Sequence, residues 1–408
     1  MTLHPPPGWE ECELGDIIAS LDGGVSVLAS DEPAYNGQHG VLKVSAVHDG
    51  HFFPEENKRI LDGQNPATDL FVRAGDLFIS RANTPDLVGA CGMARRTYRR
   101  LYLPDKLWRV RLADPKRDSV EWLNHLLCSA PLRGELRTRA SGTGRAMKNI
   151  SKESLLAITV LRPPRAVQNG IAAVLTPYAN AESLLDRLIE AKRRVRDGLA
   201  AELLTGRRRL PSFSRLSWRD VRLGDVTCES TRRNRERLGA DRVMAVTKSV
   251  GLTPMREQTM SDSLARYKVL RPGGFAYNPM RLNIGSIARS SLKRDVLVSP
   301  DYVVFEVLPD SLDPRFLDYT RRAHAWRRFM MAAGSGGVRV RIYYDDLARM
   351  KLRLPGKEEQ SAIADILDTA FQEIACLALL RETVAKQKRG LMQGLLTGKI
   401  KIKEDSHG

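Results

Sequence analysis

The chain has 408 residues, too many for a single hydrophobic core and suited to two domains of ordinary size. Apolar residues make up 42% and charged residues 28%, and no apolar run approaches the roughly 18 residues that a bilayer-spanning helix requires. A formal net charge of +17 exceeds what solubility needs and favours a polyanionic partner, nucleic acid ahead of a membrane surface. Arginine and lysine are spread through both halves, so the charge is not that of one disordered basic arm. The start, Met1 to Pro7, lacks the charged region and apolar stretch of a secretory signal, and the cytoplasm is the expected location. Cys12, Cys91, Cys128, Cys228 and Cys376 are scattered without a CxxC pair, so neither a disulfide framework nor a zinc site is expected. His48 and His51 flank Asp49-Gly50 in a polar turn and read as a solvated loop rather than a metal site.

In chain order, the first half opens on Trp9 to Ile17, with Leu14-Gly15-Asp16 near its end. Strands are expected at 41–44, at 76–80 after the Arg73-Ala-Gly75 turn, and through 109–112. Asp118-Ser119 caps a helix running to about Ala130. A polar loop follows, Ser141-Gly-Thr-Gly-Arg145-Ala-Met-Lys148-Asn149-Ile150. Pro177 would remove a backbone hydrogen bond from a helix interior. With Thr176 as a new cap, the spacing predicts a short helix at 166–175, a break, and a longer helix at 177–205, together roughly 55 to 60 Å at about 1.5 Å per residue.

The second half repeats this order. Trp218 to Val226 returns the opening, Arg271-Pro-Gly273 returns the turn, a strand is expected at 302–307, and Asp313-Pro314 starts a helix reaching about Ala332. The polar loop recurs as Gly334-Ser-Gly-Gly-Val-Arg339-Val-Arg341-Ile342. Residues 150–210 align with 342–402 without a gap, matching Ile150 with Ile342, Pro163 with Pro355, Gln168 with Gln360, and closing both copies on Leu-Leu-Thr-Gly. Glycine there suits a left-handed helix cap, and Asp368 would cap the second copy's break where Thr176 caps the first.

Apolar positions in the two helical segments follow a three-four spacing: Leu185, Leu188, Val195 and Leu199 in one, Leu377, Leu380, Val384 and Leu391 in the other. These are the expected seam residues of two helices that pair with each other, antiparallel about a pseudo-twofold axis. The fold class is α+β, with two mixed α/β domains in tandem, each followed by a long helix, and the helices joined as an antiparallel coiled coil. The domain bounds are 1–163, a first helix segment 164–210, a second domain 211–355, and a second helix segment with a basic tail, 356–408.

Candidate DNA contacts sit in the duplicated polar loops and in the turns after the central strands. Glycines let the backbone approach a phosphate, and Arg145, Lys148, Asn149, Arg339 and Arg341 can reach phosphates or base edges. Arg81 and Arg281 can pair with guanine, Asn83 and Asn283 with adenine; a structural ion pair remains the alternative for either arginine. Enzyme motifs are incomplete. Asn278-Pro279-Met280 lacks the second proline and aromatic of an adenine methyltransferase, Pro300-Asp301 with Glu306-Val307-Leu308 lacks a nuclease lysine, and Gly394 to Ile400 has the wrong spacing for a P-loop.

The Trp-x5-Gly-Asp openings, a proline then Glu-Gln-x2-Ile-Ala at the helix junction (Pro355, Glu359, Gln360, Ile363, Ala364), and the Leu-Leu-Thr-Gly-Lys-Ile ending resemble the specificity subunits of type I restriction-modification enzymes. The first junction departs from the pattern, with Val167 before Gln168. The resemblance covers essentially the whole chain. It implies a non-catalytic DNA-binding subunit whose two target recognition domains read the halves of an asymmetric, gapped sequence in double-stranded DNA. It also implies that the helices dock two modification (methyltransferase) subunits, which carry S-adenosylmethionine, and that restriction/translocase subunits using ATP and Mg join them. No cofactor is expected on this chain. The alternatives from the residues are a single-chain DNA methyltransferase or nuclease with a cryptic site, and a non-specific nucleic-acid-binding coiled-coil scaffold.

Overall fold

A computed structural model of the chain describes residues 5–35, 37–64, 69–142, 147–248, 251–256, 259–322, 324–333 and 341–402. The chain divides into two units, one formed by Met1–Leu188 with Leu377–Gly408 and the other by Ile189–Cys376.

In unit 1 the strand Glu10–Glu13 pairs antiparallel with Thr159–Arg162, Glu10 opposite Arg162, and the Leu14 N–H donates to the Ile158 carbonyl at 2.9 Å. In unit 2 Arg219–Arg222 pairs with Lys351–Leu354, Arg219 opposite Leu354, and the Leu223 N–H donates to Met350 at 2.8 Å. The main sheet of unit 1 runs Ile18–Gly23, Leu107–Leu112, Leu77–Ser80, Cys91–Met93, Gly50–Phe52, Val47–His48 in spatial order. Its first four strands recur in unit 2 as Thr227–Glu229, Val303–Val307, Phe275–Tyr277 and Ile287–Arg289. The expected strands at 41–44, 76–80, 109–112 and 302–307 appear as Gly40–Leu42, Leu77–Ser80, Leu107–Leu112 and Val303–Val307.

The helix expected from Ser119 to about Ala130 runs Val120–Leu127, and a further helix, Ala130–Arg139, follows with Pro131 in its first turn, where proline fits. Ser119 caps as expected, its hydroxyl accepting the Trp122 N–H at 3.3 Å. Asp313 likewise accepts the Arg315 N–H at 2.8 Å, but its helix ends at Thr320 and a second runs His324–Ala333.

Both long helices have 39 residues, Arg165–Leu203 and Lys357–Leu395, so each spans about 58 Å at about 1.5 Å per residue. The expected break at Pro177 does not occur; the proline lies inside a continuous helix. Its lost hydrogen bond is outweighed by burial on either side: Ile171 and Leu175 are in the unit 1 core, Ala179 is buried, and the Thr176 hydroxyl lies 3.1 Å from His125 Nε2. Asp368 is not a cap either; it lies inside the second helix and pairs with Arg315 at 3.1 Å and with the Tyr319 hydroxyl. The final glycines behave as expected, Gly206 and Gly398 both at φ 70°.

A fully buried glutamine locks each helix start to its domain. Gln168 accepts the Ser119 N–H at 2.7 Å and donates to the Pro163 carbonyl at 2.9 Å. Gln360 accepts the Asp313 N–H at 2.8 Å and donates to Pro355 at 3.0 Å. Each glutamine thereby satisfies the N–H of a helix cap, which would otherwise be an orphan donor in the core. The departure at Val167 also has a physical basis. In unit 2 the buried Glu359 accepts from Arg209 at 2.8 Å and from Trp218 Nε1 at 3.2 Å, whereas in unit 1 Trp9 and Val167 pack against the apolar core.

Within unit 1, residues of the first long helix meet those of the second in reverse order: Glu182 with Lys388 at 2.7 Å, buried, then Asp186 with Arg381 at 3.1 Å. Within unit 2, Lys192 meets Glu373 at 2.6 Å, and the Arg196 guanidinium lies 4.5 Å from the centre of the Phe371 ring. The expected seam is displaced. Leu188, Val195 and Leu380 are 42%, 58% and 50% exposed, while Ala179, Glu182, Ile189, Ile374, Ala385, Lys388 and Met392 are buried. Leu185, Leu199, Leu377, Val384 and Leu391 are half-buried at its margin. Glu182 and Lys388 are polar occupants of seam positions, so an apolar spacing locks onto the neighbouring stripe.

Candidate nucleic-acid interface

In unit 1 the turn after the central strand and the polar loop come together. Ala82–Asn83 pairs antiparallel with Lys148–Asn149, and the Ile150 N–H donates to the Arg81 carbonyl at 2.9 Å. In unit 2 the aligned Ile342 N–H donates to the Pro279 carbonyl at 3.1 Å, joining the end of the second polar loop to the turn that carries Arg281. Two segments far apart in sequence therefore converge in each copy, through the same pair of aligned isoleucines.

Arg81 and Arg281 are exposed, and among the described residues neither is in an ion pair. Asn283 and Arg341 are exposed too, Arg341 lying 3.4 Å from the Tyr343 hydroxyl. Asn149 is exposed, with its backbone paired to Ser141 in both directions at 2.8 and 2.9 Å. The turn bearing Arg281 is fixed by Asn278, whose side-chain oxygen accepts the Met280 N–H at 2.9 Å and whose carbonyl accepts the Arg281 N–H at 3.0 Å. A fixed turn presents an arginine without the cost of ordering the backbone on binding.

Two expected contacts have other roles. Asn83 is buried; its amide donates to Ser80 Oγ at 3.2 Å and its oxygen accepts the Thr84 N–H at 2.9 Å, so it braces the turn and does not face a base. Lys148 is half-buried and donates to the Gly142 carbonyl at 2.6 Å, across the neck of the loop. Arg145 and Arg339 lie outside the described residues. Outside the expected set, Arg232, Arg233, Arg235 and Arg237 are all exposed, and their dense spacing in the sequence is the signal that marks them.

The incomplete enzyme motifs are occupied structurally. Asn278 Oδ1 is used in its turn and Glu306 lies 3.8 Å from Arg271. Among the described residues no group of three or more His, Cys, Asp or Glu is placed to hold a metal ion, and no helix is long and apolar enough to cross a membrane.

Comparison with protein-family models gives no match. The type I restriction enzyme EcoEI specificity subunit of Escherichia coli is 30% identical over 189 residues, 46% of this chain and 32% of that subunit, so the match spans about a third of that relative's length. The type I restriction enzyme MjaVIII specificity subunit of Methanocaldococcus jannaschii is 24% identical over 98% of this chain and 95% of its own. In fold, the chain is similar to the crystal structure of the type I restriction-modification S subunit from M. genitalium, with a TM-score of 0.63, 13% identity, and coverage of 97% and 98% of the two chains. With the duplicated openings, junctions and helix endings described above, these likenesses make the chain similar, in sequence and in fold, to the specificity subunits of type I restriction-modification enzymes.

Proposed function

We propose that this chain is the non-catalytic, sequence-specific DNA-binding subunit of a type I restriction-modification complex in the cytoplasm. Residues 1–163 and 211–355 are its two recognition domains, and each reads one half of an asymmetric, gapped target in double-stranded DNA. The observation that carries this reading is the shared hydrogen bond, Ile150 to Arg81 and Ile342 to Pro279, which joins the described end of each polar loop to a turn bearing an exposed arginine. Arginine at such a place makes the bidentate contact to guanine. The two readers differ in most side chains, so the half-sites differ.

The helix segments 164–210 and 356–408 pair as an antiparallel coiled coil and act as a ruler that sets the half-site spacing, about one DNA turn as in other bivalent readers. The reverse order of the Glu182–Lys388 and Asp186–Arg381 contacts supports the pairing. The exposed leucines Leu184, Leu188, Leu379 and Leu380 are apolar surface left for the two modification subunits. Those subunits supply S-adenosylmethionine; restriction/translocase subunits bring ATP and Mg, and this chain binds none of these cofactors.

Selection of DNA from a random pool tests the assignment. Arg81→Ala is expected to relax one half-site and Arg281→Ala the other, each by about 1–3 kcal/mol of base discrimination. Equal loss of affinity on all sequences would reduce both arginines to phosphate contacts, and methylation or cutting by the purified chain without partners would overturn the non-catalytic assignment.

A further inference from the structure

Backbone hydrogen bonds just past the edge strand of each sheet allow the two units to be matched residue by residue. In unit 1, beyond Ile18–Gly23, the Leu61 N–H donates to the Leu28 carbonyl at 3.0 Å, the Ser30 N–H donates to Arg59 at 2.8 Å, and Ala29 is bridged to Ile60. In unit 2, beyond Thr227–Glu229, the Val269 N–H donates to Arg232 at 2.9 Å, the Asn234 N–H donates to Tyr267 at 2.9 Å, and Arg233 is bridged to Lys268. Leu28, Ala29 and Ser30 thus correspond to Arg232, Arg233 and Asn234. The next residue is Asp31 in one unit and Arg235 in the other, a reversal of charge on the same backbone.

The two places are finished differently. Asp31 is closed by an ion pair with Lys58 at 2.6 Å, and the Lys58 ammonium holds its carboxyl below the usual carboxylate range. Arg232, Arg235 and Arg237 are exposed and, among the described residues, in no ion pair. The loop that carries them is tied down by hydrogen bonds. Asn234 is fully buried, its amide donating to the Leu238 carbonyl at 2.9 Å and its oxygen accepting the Leu238 N–H at 2.8 Å. Arg235 and Glu236 both take left-handed backbone conformations, φ 49° and 61°, held by the bond from the Arg235 N–H to Ala265 at 3.1 Å. Side chains other than glycine resist that conformation, and the surrounding bonds impose it. The one carboxylate in the loop, Glu236, is held by the Ser263 hydroxyl at 2.6 Å. Arginines crowded on a pre-ordered loop repel one another until a polyanion lies across them, and a guanidinium matches phosphate oxygens in pairs.

We propose that the loop 232–238 is a phosphate clamp, gripping the DNA backbone through Arg232, Arg235 and Arg237, and that unit 1 has no counterpart because Asp31 and Lys58 occupy the equivalent place. The inference rests on the DNA-binding reading above. It makes the two half-sites unequal: unit 2 contributes more charge neutralisation.

The test is the salt dependence of binding by the full chain, using the duplex recovered by selection with the unaltered chain. Each phosphate contact contributes about 0.9 to the slope of log affinity against log salt. Arg232→Ala, Arg235→Ala and Arg237→Ala together are expected to reduce that slope by about 2.7, so the affinity loss is about 40-fold greater at 50 mM than at 200 mM salt. The selected sequence stays the same, and lysine at all three positions restores the slope. An unchanged slope in the alanine variant, or a changed base preference, would overturn the clamp. Failure of the unaltered chain to bind any duplex would overturn the DNA-binding reading itself.

Discussion

The main sheets of the two units share the order of four strands and their edge hydrogen bonds, yet differ in their interiors. Gly75 in unit 1 and Gly273 in unit 2 donate to Ala94 and Ser290 at 2.8 and 2.9 Å, and this fixes the register between copies. At the paired positions that follow, unit 1 has Phe78 opposite Arg109, and unit 2 has Ala276 opposite Val304. Arg109 is buried, lies 3.2 Å from the buried Asp76, and donates to the Phe71 carbonyl at 2.6 Å, pinning the segment before the central strand. Val304 instead lies in an apolar cluster with Val246, Leu270 and Ala276. The frame is therefore held by backbone hydrogen bonds and by the glutamine latches at the helix starts. Side chains between those fixed points differ between the units even in the core.

The sharpest way to break this comparison is to remove the buried cation. Arg109→Ala leaves the buried Asp76 carboxylate without its cation, an expected loss of about 3–5 kcal/mol. The loss is expected in unit 1 alone, read as faster amide hydrogen exchange there with unit 2 protected as before. Equal loss of protection in both units would show that the units do not hold their cores independently.

A smaller effect comes from two histidines of unit 1. Burial, with the Lys388 ammonium adding to it, pushes the His51 imidazole down to about 4 and His125 down to about 3. Both are neutral in the folded chain at pH 6, while an unfolded chain protonates them near pH 6.5. The unfolded state then binds more protons, so stability is full above pH 6.5 and falls as pH drops toward 4, by up to about 1.4 kcal/mol per pH unit for each histidine. Denaturant midpoints measured between pH 7 and 5 check this, and replacing both histidines with glutamine is expected to flatten the profile. A profile unchanged by that replacement would contradict the assignment.

Much of the architecture could be read in advance because duplication prints the same constraint twice. Gln168 and Gln360 stood out as identities, and the structure gives the reason, a cap N–H in each core that only a long amide reaches. Gly206 and Gly398 were equally clear, since left-handed caps demand glycine. The helix through Pro177 was not, because propensity is local and the burial of Leu175 and Ala179 is tertiary. The seam was misplaced by about one position because Glu182 and Lys388, charged but paired, occupy it. At the candidate interface Arg81 and Arg281 are candidates by residue type, and the structure leaves both exposed, whereas the bracing role of Asn83 depends on partners that only the fold brings near.

The central claim is that each domain reads its own half of one target. Mapping methylated adenines in the genome of a cell carrying this chain and the modification subunits proposed for it tests it most directly, before and after residues 1–163 are replaced by another recognition domain. The account predicts a two-part motif in which the exchange changes one half and leaves the other half and the spacer as they were. A motif altered in both halves, or methylation at an undivided site, would contradict it.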